Sequence, residues 1–404
     1  MPHPPLALLR ALRHRNFRLF FGGQLISLIG TWMQSVAQAW LVYRLTGSSE
    51  LLGLIGFVAQ GPVFLLSTLG GVVADRFERH RVLLLTQSIS MALATLLAVL
   101  TLTGEITLWQ VFVIAGLLGI TNAFDIPSRQ SFLVEMVGPE DLANAIALNS
   151  SVFNGARLFG PALAGLIIAA GGEGWCFALN AASFVAVIGG LLAMRLAPRP
   201  PRPQVTGSVL AYIRDGLVFI AGHRSIRGLM LLLGLSSLMG MFYAVLLPIF
   251  ADRILGGGAA SLGLMMSATG LGAFAAALCL AARTSPQGLQ TWPARGAAAF
   301  GLSLIAFSLS PWLWLSVGIL MFAGFAFMIQ TSSSNTLIQL KVPDSYRGRT
   351  MAIYSMMFVG MAPFGALLGG LLAGQIGAPA TVATAGTLTL LGAGLHHHYR
   401  ERTA

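Results

Sequence analysis

Apolar positions fill this chain in long runs, separated by short polar breaks, and the runs define its elements. They place spans at 18–44, 51–74, 82–103, 106–128, 142–170, 175–195, 226–255, 261–283, 296–310, 312–335, 348–374 and 378–396. A run of about 20 apolar residues is what a helix needs to cross a ~30 Å hydrocarbon layer. In lipid the backbone must hydrogen-bond to itself, which leaves helices or closed barrels. These runs lack the apolar–polar alternation of barrel strands, so the expected fold class is an all-α membrane protein with twelve transmembrane helices.

The breaks also divide the chain. Residues 197–207 read APRPPRPQVTG, a Pro and Arg stretch that predicts an extended, exposed linker between six spans and six. Beyond it Val209, Leu210, Ile213, Leu217 and Ile220 recur at helical spacing around Arg214 and Asp215, predicting a short amphipathic helix at the inner leaflet. The expected domains are therefore an N-terminal six-helix bundle (1–195), a cytoplasmic linker (196–224) and a C-terminal six-helix bundle (225–404). The halves echo each other at a separation of about 205–209 residues. His14-Arg15-Asn16-Phe17-Arg18 matches His223-Arg224-Ser225-Ile226-Arg227, and Arg44-Leu45-Thr46-Gly47 matches Arg253-Ile254-Leu255-Gly256. Val137-Gly138-Pro139-Glu140 faces Val342-Pro343-Asp344, and Gly165 faces Gly369. Three matches in register predict two bundles related by a pseudo-twofold.

Composition agrees with a life in lipid: 56% of the 404 residues are apolar, 9% are charged, and the mean hydropathy is +0.79. Water-soluble packing is excluded. The net charge of +11 could mark a nucleic-acid surface, but its distribution argues against one. Every Lys and Arg except Arg44, Arg157 and Arg253 falls in the termini, the linker or alternate loops. The opposite loops, 46–50, 104–105, 171–174, 256–260, 310–311 and 375–378, hold none. This asymmetry predicts both termini in the cytoplasm. The first run is too long for a cleavable signal and lacks a small-residue cleavage site, so it is expected to remain as an anchor. Cys176 and Cys279 sit inside apolar runs and are expected to be buried, inert thiols. His396-His397-His398 is too short to assert a metal site, and no cofactor is expected.

Between the second and third spans stands Gly71-Val72-Val73-Ala74-Asp75-Arg76-Phe77-Glu78-Arg79-His80-Arg81. It resembles the loop motif of the major facilitator superfamily, Gly-x-x-x-Asp-Arg-x-Gly-Arg-Arg, departing at Glu78 and His80. The fifth span carries Gly155-Ala156-Arg157-Leu158-Phe159-Gly160-Pro161-Ala162-Leu163-Ala164-Gly165, similar to the antiporter motif of facilitator exporters, with Ala156 and Ala164 where glycines are usual. With Asp125-Ile126-Pro127-Ser128-Arg129-Gln130 and Arg347-Gly348-Arg349, the whole chain resembles the drug:proton antiporter branch that contains enterobactin exporters and macrolide efflux proteins. The resemblance implies an inner-membrane, monomeric exporter of a small amphipathic compound, proton-coupled and working by alternating access. It also implies that Asp75 caps the eleventh helix and that Arg76 pairs with Asp125 as a latch. Gly160 and Pro161 would mark a close, bent helix contact. The second-half counterpart of the motif loop, Arg283 to Arg295, has no Asp.

The same resemblance implies a cavity between the halves, lined by polar groups at mid-depth, where each is costly unless it meets water, a partner or a ligand. Candidates are Trp32, Gln34 and Gln38 of the first span, Gln60 beside Pro62, Asn122, Tyr243, Gln330, Met357 and Met361, with Met239 and Met241 nearby. Amide, aromatic and thioether groups suit bulky amphipathic ligands, although each could equally serve helix packing. Arg157 lies ~15 residues into its helix, roughly 22 Å along the axis, where a guanidinium needs an anion, water or a carbonyl cluster. Asp125 and Asp252 are the candidate proton carriers, and Asp125 stands four residues before Arg129, within reach of an ordinary helical ion pair. Alternatives are an importer or lysophospholipid transporter of the same fold, a polytopic membrane enzyme, or a receptor bundle. An enzyme handling pyrophosphate would want clustered carboxylates, and the sequence offers only Glu140-Asp141.

Overall fold

The computed structural model describes residues 9–196, 209–282 and 288–401. The Pro-Arg linker 197–207 and residues 283–287 of the motif's second-half counterpart lie outside the described residues. What is described is helical, with no strand. The helices are α1 Arg15–Thr46, α2 Ser49–Arg76, α3 Arg79–Thr103, α4 Leu108–Gly171, α5 Glu173–Leu192, α6 Val209–Gly222, α7 Arg224–Ile249, α8 Gly258–Ala281, α9 Trp292–Ser308, α10 Leu313–Lys341, α11 Asp344–Phe358, α12 Ala362–Ile376 and α13 Ala378–Glu401. Short turns replace the polar breaks. Gly47 and Gly104 take left-handed φ values of 62° and 79° after α1 and α3, a conformation that costs glycine nothing.

Among the described residues, ten stretches are long and apolar enough to cross a membrane. One of them, α4, has 64 residues and would be about 96 Å long if straight, three times the hydrocarbon thickness. It bends at Gly138, whose φ of 74° and ψ of 174° leave the helical region just before Pro139, and so supplies two spans. With the 17-residue α9, the crossings number twelve. The bend corrects the sequence reading, in which the fourth span ended at 128 and a loop ran to 141. Polar Ser128, Arg129, Gln130 and Glu135 interrupt the apolar run. The helix nevertheless continues because Phe132, Leu133, Met136 and Val137 bury against Phe17 and Phe20 of α1 and Leu83 of α3.

The eleventh span is likewise two helices, α11 and α12, broken at residues 359–361 ahead of Pro363. There the Ala362 N–H turns to Val359 O, which frees the Phe358 carbonyl, and the Ser237 hydroxyl of α7 donates to it. The amphipathic helix is present as α6, but a different face is packed. Gly216, Phe219 and Ile220 meet α11, with Phe219 stacked 4.4 Å from Tyr346, while Leu217 is exposed. Cys176 is buried as expected, whereas Cys279 is exposed on α8.

By contacts the chain forms two compact units, one of Met1–Leu45 with Val58–Gln204, the other of Thr46–Phe57 with Val205–Ala404. Each is closed by seams of small residues. In the first, a Cβ on Gly23 would lie 2.7 Å from Val187 Cα, and one on Gly160 would lie 2.5 Å from Trp32 Cβ. In the second, a Cβ on Gly272 would lie 1.7 Å from Met321 O, and one on Gly324 2.0 Å from Thr269 O. Lipid tails are as apolar as leucine, so the hydrophobic effect does not draw helices together within the bilayer; close backbone approach supplies the dispersion that does. Gly272→Ala is therefore expected to lower stability by about 1–3 kcal/mol through overpacking. Gly189→Ala, where a Cβ meets nothing within 4 Å, serves as the neutral control in thermal unfolding of the detergent-purified protein.

Candidate functional site

A polar stripe runs along α1. Gln24, Ser27, Thr31, Gln34 and Gln38 recur every three or four residues and therefore share one face. This face lines a cavity of about 130 Å³ inside the first unit. Across from it stand Gln87 and Ser90 of α3, Asn122, Asp125 and Arg129 of α4, and Asn180 and Phe184 of α5, with Ala59 of α2 completing the wall. Asp125 is 3% exposed and fully engaged. Its Oδ1 accepts from Thr86 Oγ1 at 2.8 Å and from Gln87 Nε2 at 2.7 Å, and Arg129 Nη2 lies 3.2 Å from Oδ2. Arg129 Nη1 also donates to Gln24 Oε1 at 2.9 Å. Farther along, Asn180 Nδ2 donates to Gln34 Oε1 at 2.6 Å. A carboxylate and a guanidinium in apolar surroundings persist only when each offsets the other's desolvation and the remaining lone pairs find donors. Both conditions are met here, with one atom left over: the buried Gln87 Oε1 has no partner.

A second cluster sits where α2, α3 and the first arm of α4 meet. Arg79 is 8% exposed, and its fork binds four groups. Nε donates to Ala74 O at 2.9 Å, Nη1 to Ser131 O at 2.6 Å and Glu135 Oε1 at 3.2 Å, and Nη2 to Asp75 Oδ1 at 3.1 Å. This corrects the expected pairing of Arg76 with Asp125. Arg76 is exposed, and Asp125 lies ten residues along α4 from Glu135, about 15 Å deeper by helical rise, already committed to Arg129. In the sequence Glu135 stands in what reads as a loop, so hydropathy gives no sign of its role. Glu78, the departure from the motif, pairs with Arg81 at 2.6 Å on the surface.

Of the sequence candidates, Gln34, Gln38, Asn122 and Asp125 come together in the cavity. Trp32 instead packs on Gly160 and edge-on to Phe153, next to buried Pro161. Gln60 is half-buried on α2 outside the cavity wall, and Gly71 has open space where a Cβ would stand. In the second unit Gln330 is wholly enclosed; its amide donates to Ser236 Oγ at 2.7 Å and clamps α10 to α7, apart from the cavity of the first unit. Tyr243 is buried edge-on to Phe300, and Met357 and Met361 pack over Gly234. Asp252 is exposed in the π turn Phe250–Ile254 that ends α7. Arg157 is half-buried on the second arm of α4, with no hydrogen bond or ion pair among the described residues.

Twelve apolar crossings in one α-helical chain, with the arginine-fork motif between the second and third, are the construction of major facilitator transporters. The chain belongs to the family described as "Transmembrane secretion effector", which matches residues 6–403; it is a multi-pass membrane transporter of small molecules and not an enzyme. It is 30% identical to the enterobactin exporter EntS of Shigella boydii over 94% of this chain and 90% of that protein. It is 25% identical to the staphyloferrin A transporter of Staphylococcus aureus over 92% and 93%. Its fold matches a crystal structure of a bacterial homologue of the human lysosomal transporter Spinster, with a TM-score of 0.71 and 16% identity over 96% of this chain and 97% of that one.

The arginine fork supports a direct comparison. Removing Arg79 takes an ion-pair partner from half-buried Glu135 and a donor from two carbonyls, so Arg79→Ala is expected to cost about 3 kcal/mol, whereas Arg76→Ala should leave thermal unfolding unchanged. Equal losses in the two variants would refute the assignment of the clasp to Arg79.

Proposed function

We propose that the protein exports a small, amphipathic, oxygen-rich anion of siderophore type across the bacterial inner membrane by alternating access. Arg157 carries this reading. A guanidinium at spanning depth is among the most costly groups a membrane helix can hold, and one without a protein partner is reserved for water or a ligand of opposite charge. The names of the enterobactin exporter and the staphyloferrin A transporter support the same substrate chemistry, since catecholate and carboxylate ligands are anionic and rich in oxygen. Export coupled to proton entry, a monomeric working unit and cytoplasmic termini complete the proposal; the last is supported by the bias of Lys and Arg toward alternate loops.

The test is uptake into everted inner-membrane vesicles of iron-free catecholate and carboxylate siderophores, set against cationic dyes and neutral macrolides. Anionic compounds are expected to accumulate in preference. Arg157→Gln should reduce that accumulation by about tenfold or more, the loss of a charge-assisted hydrogen bond, with normal membrane insertion. Arg157→Lys should retain part of it. Preference for cationic compounds, or anion transport indifferent to Arg157→Gln, would overturn the reading.

A further inference from the structure

We propose that Asp141 is a positioning residue: with Arg10, Arg13 and His14 it forms an ionic clasp that fixes the second arm of α4 when closed and frees it when open. The effect on transport rests on the proposed function, because that arm carries Arg157; the clasp itself does not.

Ahead of α1 the chain makes one turn of 3-10 helix, Arg10–Arg13, which lies across the start of the second arm. Asp141 follows closely on the joint at Gly138 and Pro139. Arg10 Nε pairs with its Oδ1, while Arg13 Nη2 at 2.8 Å and His14 Nε2 at 2.6 Å meet its Oδ2. The backbone joins in: Arg10 Nη2 donates to Glu140 O at 3.0 Å, and the Ala11 N–H donates to Asn144 Oδ1 at 2.8 Å. On the other side of the turn, Asn16 and Arg195 exchange two hydrogen bonds, which pin the start of α1 to the residues after α5. A helix is stiff beyond its joint, so a clasp at Asp141 sets the direction of the whole arm, Arg157 included.

Exposure shows why this clasp can open. Asp141 is 1% exposed, yet its neighbours Pro139 and Glu140 are exposed, and Arg10 and Arg13 are 51% and 61% exposed. The cover over the carboxylate is thus the turn that carries its partners, seated by Ala11 and Leu12 on the apolar cluster that includes Leu142. When the turn lifts, carboxylate and cations pass into water together, and no charge is stranded in an apolar interior. The pair of Asp125 and Arg129 differs, because Asp125 is enclosed by α3 side chains and parting the two strands a charge.

The second unit makes the corresponding contact chiefly through rings. There α6, which precedes the first span of that unit, lies on the start of α11 through Phe219, stacked 4.4 Å from Tyr346, and through Ile220. The ion pair beside it, Asp215 with Arg349, is 3.9 Å long, and Asp344 pairs with Arg347 of its own helix. Salt screens exposed ion pairs and does not weaken stacked rings, so the second unit is an internal control for the first.

The experiment is hydrogen–deuterium exchange of the purified full-length protein in lipid nanodiscs, read by mass spectrometry without substrate. Raising the salt from about 0.1 M to about 1 M shortens the screening length from about 10 Å to about 3 Å. Segments 10–14 and 140–146 are expected to exchange faster together, by about tenfold, the worth of a charge-assisted hydrogen bond, while 216–222 and 345–353 keep their rates. Asp141→Asn, and independently the pair Arg10→Gln with Arg13→Gln, should raise both first-unit rates at low salt and remove their response to salt. Asp141→Glu should restore the response. In everted vesicles, Asp141→Asn should raise the half-saturating concentration of the carried compound several-fold, yet add nothing in an Arg157→Gln background, where an independent fault would add. Exchange of the turn indifferent to salt, a loosened turn that leaves 140–146 unchanged, or additive losses from Asp141→Asn and an impaired Arg157→Gln would each overturn the proposal. If Arg157→Gln alone transports normally, the proposed function has failed, and the exchange rates still decide the clasp.

Discussion

The hydrocarbon layer offers no hydrogen bonds, and the rest of this structure follows from that. Backbone groups are satisfied within helices, and the hydroxyls along them donate back to the preceding turn, as Thr31 does to Ser27 O, Thr121 to Leu117 O and Thr389 to Ala385 O. Where a helix breaks, a neighbour repairs it: the Ser237 hydroxyl takes the Phe358 carbonyl freed between α11 and α12. Larger polar groups must find one another. Gln330 meets Ser236, Asn180 meets Gln34, and Asp125 gathers Thr86, Gln87 and Arg129. The amides still leave an atom over, Gln87 Oε1 and Gln330 Oε1, so each of these meetings satisfies the donors more fully than the acceptors.

The same solvent explains the packing. Cohesion between helices has to come from contact, so the seams consist of glycine and alanine set against carbonyl oxygens and Cα atoms rather than of large interlocking side chains. Large apolar residues are correspondingly free to face outward. Leu65, Leu166, Trp109, Trp312 and Trp314 are all more than half exposed, with the tryptophans at the starts of α4 and α10, where an aromatic ring can anchor a helix end at the interface.

Length and apolarity alone made the crossings legible, because membrane thickness is a strict ruler. The ion pair of Asp125 with Arg129 was legible too, from helical spacing. Less visible was what depends on a tertiary neighbour. The continuation of α4 through Ser128–Glu135 needs the buried face of Phe132 and Met136, which a hydropathy run cannot register through the intervening polar residues. Arg79 rather than Arg76 closes the motif because four acceptors converge on it from α2 and α4. The stripe Gln24, Ser27, Thr31, Gln34, Gln38 is written in the chain by its heptad-like spacing, but serine and threonine are too common in membrane helices for that spacing to stand out beside Gln34 and Gln38.

Size separates two kinds of chemistry within the first unit. Pockets that enclose drug-sized ligands measure ~300–1,000 Å³. A chamber of about 130 Å³ is too small for such a ligand and large enough for a few waters, and its wall is polar and net neutral. Arg157 is not on that wall; it carries a positive charge that the described protein leaves uncompensated, on the other arm of the same bent helix. Asp125 and Arg157 are therefore joined through one continuous backbone that turns at Gly138 and Pro139. The Asp125–Arg129 pair ties the first arm to α1 through Gln24 and to α3 through Thr86 and Gln87, while Arg157 stands on the second arm. Gly138, in the left-handed region next to Pro139, is the joint at which this helix changes direction with little loss of hydrogen bonding.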